Sequence, residues 1–134
     1  MAGAKLTIEP GVIIKFKHSE YWKSELKVEG ELAAIGTEAQ KIIFTSSSTQ
    51  PAAGDWEWLY FKDARATLEN VTIRYAGKKE GNPPFSPPFT RGAIYIDGGN
   101  IQIKNSKIEK SQTLGIWLKN AASTPEVAIE AINE

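Results

Sequence analysis

Cysteine is absent and histidine occurs once, as His18. The first absence removes disulfides, thiolate metal sites and thiol nucleophiles. The second leaves a histidine zinc site or a Ser-His-Asp relay almost without raw material. Excess charge of one sign is lacking too: sixteen Lys and Arg balance sixteen Asp and Glu. Without a basic block there is no electrostatic reason to expect nucleic acid, whose binding draws on clustered cations. No apolar run approaches the roughly 18 residues of a membrane-crossing helix, so membrane insertion is not expected. Aspartate is scarce, with only Asp55, Asp63 and Asp97. The start, Met1 to Lys5, runs directly into Leu6-Thr7-Ile8-Glu9 without the apolar stretch of a secretory leader. A first strand so early reads as a piece of a longer protein.

What is present is a short-period apolar pattern. The chain of 134 residues is 41% hydrophobic and 24% charged, the composition of one packed domain spanning 1–134. Leu6, Ile8, Val12, Ile14 and Phe16, then Leu26, Val28, Leu32 and Ala34, alternate with polar or small residues in short runs. Pro10-Gly11 and Gly30 punctuate them. That is the signature of strands with one buried face. Further runs cover 41–45, 56–62, 67–75, 93–97, 100–103 and 115–118, and the fold class is all-β.

The runs repeat. A shift of 20 lays Leu6 and Ile8 over Leu26 and Val28, and a shift of 22 lays Ile94 and Ile96 over Ile116 and Leu118. A shift of 35 lays Leu68, Asn70 and Ile73 over Ile103, Asn105 and Ile108, and Leu59 and Phe61 over Ile94 and Ile96. Removing the Pro- and Gly-rich loop 78–91 brings that offset to 21, so one coil of 20 to 22 residues accounts for all three. A unit of this size buries its apolar face only against neighbours stacked in parallel. Between Leu26 and Leu68 two plain coils, or one with a large excursion near 46–54, fit equally. An antiparallel sandwich also suits period-two strands.

Leu6-Thr7-Ile8-Glu9-Pro10-Gly11-Val12, Gly36-Thr37 followed by Ile43-Phe44-Thr45-Ser46, Gly54-Asp55-Trp56, and Leu68 to Gly77 resemble the right-handed parallel β-helix repeat proteins of microbial surfaces and secretions. The resemblance covers 5–120 and implies a single-stranded right-handed parallel β-helix, with an extracellular or cell-surface location in the parent protein. It departs at Glu57-Trp58, where the family carries small residues. The family's fold hosts lyases, hydrolases, adhesins and inert stalks, so fold alone assigns no activity. Asn70 and Asn105 take matching turn positions and are expected to form an asparagine ladder. Asn70-Val71-Thr72 is also a glycosylation sequon, but its place inside a strand turn argues against use.

The tail 121–134 reads as a cap or a last partial coil. Ser123-Thr124-Pro125-Glu126 has capping-box spacing, and Val127, Ala128, Ala131 and Ile132 share a helical face, favouring a short helix across the open end of the stack. Alternation of Val127, Ile129 and Ala131 permits a strand instead. The N-terminal end has no such device, which points to self-association there or covalent continuation into further coils.

Candidate chemistry is thin. Asp63 and Asp97 stand 34 apart, one off the repeat, and are the pair a degenerate polysaccharide lyase or hydrolase would use. Asp97-Gly98-Gly99-Asn100 lacks a calcium-binding frame and reads as a tight turn. No cofactor or metal is expected. Tyr21, Trp22, Trp56, Trp58, Phe85 and Phe89 fall in or beside loops, where flat rings either stack on sugars or fold back as lids. The resulting expectation is a non-enzymatic structural or carbohydrate-binding module. Its alternatives are a degenerate polysaccharide-processing domain using Asp63 and Asp97, and an engineered or excised scaffold without activity.

Overall fold

The computed structural model describes residues 3–18, 24–78, 92–119 and 126–133. Its elements are β1 (Lys5–Ile8), β2 (Ile13–Phe16), β3 (Leu26–Val28), β4 (Glu31–Ile35), β5 (Ile42–Ser46), β6 (Leu59–Glu69), β7 (Val71–Arg74), β8 (Gly92–Glu109), β9 (Leu114–Lys119) and β10 (Glu126–Asn133). All ten belong to one sheet, and every pairing in it is parallel. The antiparallel sandwich is thereby excluded.

The sheet curls because the chain revisits three ladders in a fixed order. The first ladder holds β3, the start of β6, the start of β8, and β9. The second holds β1, β4, the rest of β6, the middle of β8, and β10. The third holds β2, β5, β7, the end of β8 and the last residues of β10. Long strands pass from ladder to ladder by bending at left-handed residues. Asp63 (φ 47°) and Gly98 (φ 77°) turn the chain from first ladder to second. Asn70 (φ 54°) and Asn105 (φ 46°) turn it from second to third, and Tyr75 (φ 64°) and Lys110 (φ 57°) end the third. Each of these pairs is separated by the same 35 residues that relate Leu68 to Ile103, so corners as well as strands repeat. Gly99 (φ 93°) is required at its corner, because a Cβ there would fall on the Ala64 carbonyl and within 2.6 Å of the Ala64 amide.

Alternation along β1 to β8 sends one set of side chains inward. Stacking places like on like: Leu59 beside Ile94, Phe61 beside Ile96, Leu68 beside Ile103, Ile73 beside Ile108, all buried. Each such side chain contributes about 1.5–3 kcal/mol on burial. The core is therefore a continuous column shared by successive circuits.

Two sequence expectations require correction. The offset of 20 does not operate at the N-terminus: Leu6 pairs with Leu32, 26 residues on, and Ile13 with Ile43. Leu6-Thr7-Ile8 and Leu26-Lys27-Val28 share a pattern but belong to different ladders. Between Leu26 and Leu68 there is one circuit with an excursion, since Leu26 meets Leu59 and Ala34 meets Leu68. The tail, expected as a helix, is instead β10, which adds to β8 from Glu126↔Asn100 to Asn133↔Lys107. An available parallel edge satisfies its backbone groups better than an isolated helix of two turns, whose nucleation is unfavourable.

Candidate functional site

The outward positions of the first ladder carry a column of rings. In β6, inward Leu59 and Phe61 leave Tyr60 on the outer face, and the register aligns Lys27, Tyr60, Tyr95 and Trp117 on successive rungs. Tyr60 and Tyr95 stack with centroids 4.6 Å apart, and Tyr95 and Trp117 with centroids 4.7 Å apart. Both spacings follow from the strand separation of about 4.8 Å. Trp58, just before β6, lies 4.8 Å from Tyr95 and 5.8 Å from Tyr60, and its indole N–H points to Glu25 Oε1 at 3.4 Å. The Lys27 ammonium sits 5.3 Å above the Tyr60 ring. A hydrogen bond to Glu29 holds that ammonium above its ordinary value, and the same bond holds the Glu29 carboxyl below its own.

Exposure divides the column. Tyr95 is 6% and Trp58 8% accessible, so their faces are committed to neighbouring rings, whereas Tyr60 and Trp117 stay half-buried. Of these four only Trp58 is singled out by loop position in the sequence. The others have a signal nonetheless, because the shifts of 35 and 22 that align the core also lay Tyr60 on Tyr95 and Tyr95 on Trp117.

Trp56 has no face to offer a ligand. It is fully buried, stacked on Phe16 at 3.9 Å with the planes 5° apart, and its indole N–H donates to the Arg74 carbonyl at 2.7 Å. It acts as a lid, closing the excursion 47–58 over the third ladder. Tyr21, Trp22, Phe85 and Phe89 lie outside the described residues. Asn70 and Asn105 occupy equivalent corners, and the Asn70 amide donates to the Gly36 carbonyl of the preceding circuit at 3.2 Å. Asp63 is exposed on its left-handed corner, while Asp97 is buried with its backbone across from Lys62.

The excursion is also tied by an acid sequence reasoning did not assign. Asp55 Oδ2 accepts from the Ser46 hydroxyl at 2.7 Å and from the Ala52 amide at 3.1 Å, and His18 Nδ1 lies 3.3 Å from Oδ1. These are the three residue types of a hydrolytic relay in the wrong order. A nucleophilic serine needs the imidazole beside its hydroxyl, whereas here the carboxylate stands between them and accepts the Ser46 hydroxyl hydrogen bond itself. The arrangement is a loop clamp. No group of three or more His, Cys, Asp or Glu is placed to hold a metal among the described residues.

Two of the concave regions among the described residues lie against the first and second ladders. A polar groove of about 430 Å³ runs along the corner between first and second ladders, lined by Glu29, Glu31, Asp63, Arg65 and Asn100 among others. An apolar one of about 460 Å³ opens at the N-terminal end, lined by Leu6, Ile8, Val12, Ile14, Phe16 and Leu26 among others. The second is the uncovered end of the core. Leu6 holds an inward position in register with buried Leu32 yet is 45% exposed. Comparison with protein-family models, curated proteins and solved structures finds no match to this chain.

Proposed function

We propose that the chain is a right-handed parallel β-helix serving as a non-enzymatic structural module of an exported or surface protein. Handedness follows from the strong general preference of parallel crossovers for the right-handed sense. The observation that carries the functional reading is the commitment of side chains to cohesion between circuits: buried aliphatic columns inside, stacked rings outside, and Asp55, the most buried of the three aspartates, holding a loop. Turnover assays against polyuronates and neutral glycans test it. A scaffold gives none, and turnover abolished by Asp63→Ala would restore the degenerate lyase or hydrolase.

A glycan-binding role is the second reading, favoured by the half-buried rings of Tyr60 and Trp117 on either side of Tyr95. Rings on a rigid ladder suit stacking against sugar faces. Calorimetry with soluble oligosaccharides then shows heat that Trp117→Ala removes; no heat, or heat surviving both Trp117→Ala and Tyr60→Ala, ends this reading.

A further inference from the structure

Among the described residues the three N-terminal edge strands, β1, β2 and β3, are each paired on one side. At the opposite end the partner of β10 among those residues is β8. Resting on the β-helix reading above, we infer that these ends fit each other: β1 of a second copy of this chain adds in parallel to the outer edge of β10, extending the second ladder head to tail.

Register supports this occupant. Along the second ladder Lys5, Glu31, Arg65, Asn100 and Glu126 share one rung position. Continuing the same register sets Lys5 of the incoming copy across from Glu126, Leu6 across from Val127 and Ile8 across from Ile129. Within the chain Lys5 already meets a glutamate at this position, with its ammonium 3.5 Å from Glu31, and Leu6 and Ile8 already meet Leu32 and Ala34. Docking repeats that set of partners on the other edge of β1.

Hydrogen-bond phase agrees. The Ala4 carbonyl accepts from the Glu31 amide at 2.8 Å. Backbone groups of successive residues in a parallel strand face alternate neighbours. Leu6 and Ile8 therefore bond β4, while the amides and carbonyls of Lys5 and Thr7 face outward, towards the place β10 would take. Docking also covers Leu6 of the incoming copy at the rim of its own open apolar mouth.

The contact is short. Because the chain enters in the second ladder, β3 of the incoming copy lies two layers beyond β9, and the first ladder keeps a one-strand slot. Association is accordingly weak and concentration-dependent. Being heterologous and not self-closing, it yields open chains of copies rather than a dimer.

Sedimentation velocity on the intact 134-residue chain, up to millimolar concentration, tests the inference, with an average mass rising above the 14.7 kDa monomer as the expected result. Thr7→Pro removes only an outward-facing N–H, so it keeps the far-ultraviolet spectrum and abolishes the rise. Glu126→Lys weakens association by roughly fivefold, as expected for a like-charge pair across strands. Because the chain has no cysteine, single-cysteine variants report polarity. Oxidising a mixture of Thr7→Cys and Ala128→Cys gives the mixed dimer, and Thr7→Cys alone gives none. A mass of 14.7 kDa throughout, association undiminished in Thr7→Pro, or a disulfide formed only between Thr7→Cys copies overturns the head-to-tail contact. Those outcomes leave the scaffold reading standing; turnover lost in Asp63→Ala would remove that reading while leaving the contact intact.

Discussion

Replacing Trp56 with alanine separates a lid from a ligand platform. The indole is fully buried, stacked on Phe16, and bonded to the Arg74 carbonyl. Truncating a buried tryptophan to alanine costs about 3–5 kcal/mol. That cost is a large share of the roughly 5–15 kcal/mol by which domains are stable. At an m-value of about 2 kcal/mol/M, a loss of about 4 kcal/mol lowers the urea midpoint by about 2 M. Trp56→Phe dissects the effect. It retains a ring against Phe16 but leaves the Arg74 carbonyl without its donor, a loss of about 1–3 kcal/mol. A double-mutant cycle of Phe16→Leu with Trp56→Leu isolates the stack at about 0.5–1.5 kcal/mol. Urea unfolding followed by far-ultraviolet circular dichroism reads all three. A midpoint shift below about 0.5 M for Trp56→Ala, beneath what a buried-tryptophan truncation yields at that m-value, would refute the lid assignment.

Gly99→Ala is expected to cost about 2–4 kcal/mol in the same assay, because it combines a left-handed backbone with a collision against the Ala64 peptide; a neutral result would mean that the two corners do not stack. Asp55→Ala, which leaves the Ser46 hydroxyl and the Ala52 amide without their acceptor, is expected to cost about 1–3 kcal/mol and to speed amide exchange between 47 and 58. Burial pushes the Glu109 carboxyl up, but hydrogen bonds from Arg74 and Lys107 outweigh that and hold it below its ordinary 4.5. A depressed carboxylate stabilises the fold fully above the unfolded value and loses that contribution as pH falls through the folded one. Stability of the parent and Glu109→Gln should thus differ at pH 7 and converge as pH falls below the ordinary carboxylate range; a constant difference would contradict the ion-pair origin.

Legibility in the sequence followed how many independent features shared a shift. At 35 residues strands, corners and core agree, so Leu68–Ile103, Asn70–Asn105 and Ile73–Ile108 align from the string alone. At 20 only the alternation agrees. Alternation is common to all three ladders, so it cannot distinguish a neighbour above from a neighbour around the corner, and it lays Leu6 on Leu26 although its partner is Leu32. The tail misled through local propensity, since a capping-box spacing and a proline suit a helix start while the decisive partner, the edge of β8, is distant in sequence. Loop position also proved a poor guide to aromatic roles: it singles out Trp56, which is sealed away, and passes over Tyr60 and Trp117, which sit mid-strand and stay half-buried. The Asp55 clamp draws Ser46 and His18 from two different circuits, and no local spacing links all three.

Backbone nuclear Overhauser contacts across β6, β7 and β8 probe the stacked parallel circuits most directly. Parallel contacts linking the neighbours of Leu68 with those of Ile103, and of Ile73 with those of Ile108, at a constant separation of 35 residues, are the expected result. Close Hα–Hα contacts of an antiparallel pair, or the absence of contacts between the neighbours of Leu68 and those of Ile103, would contradict the architecture and the ring column built on it.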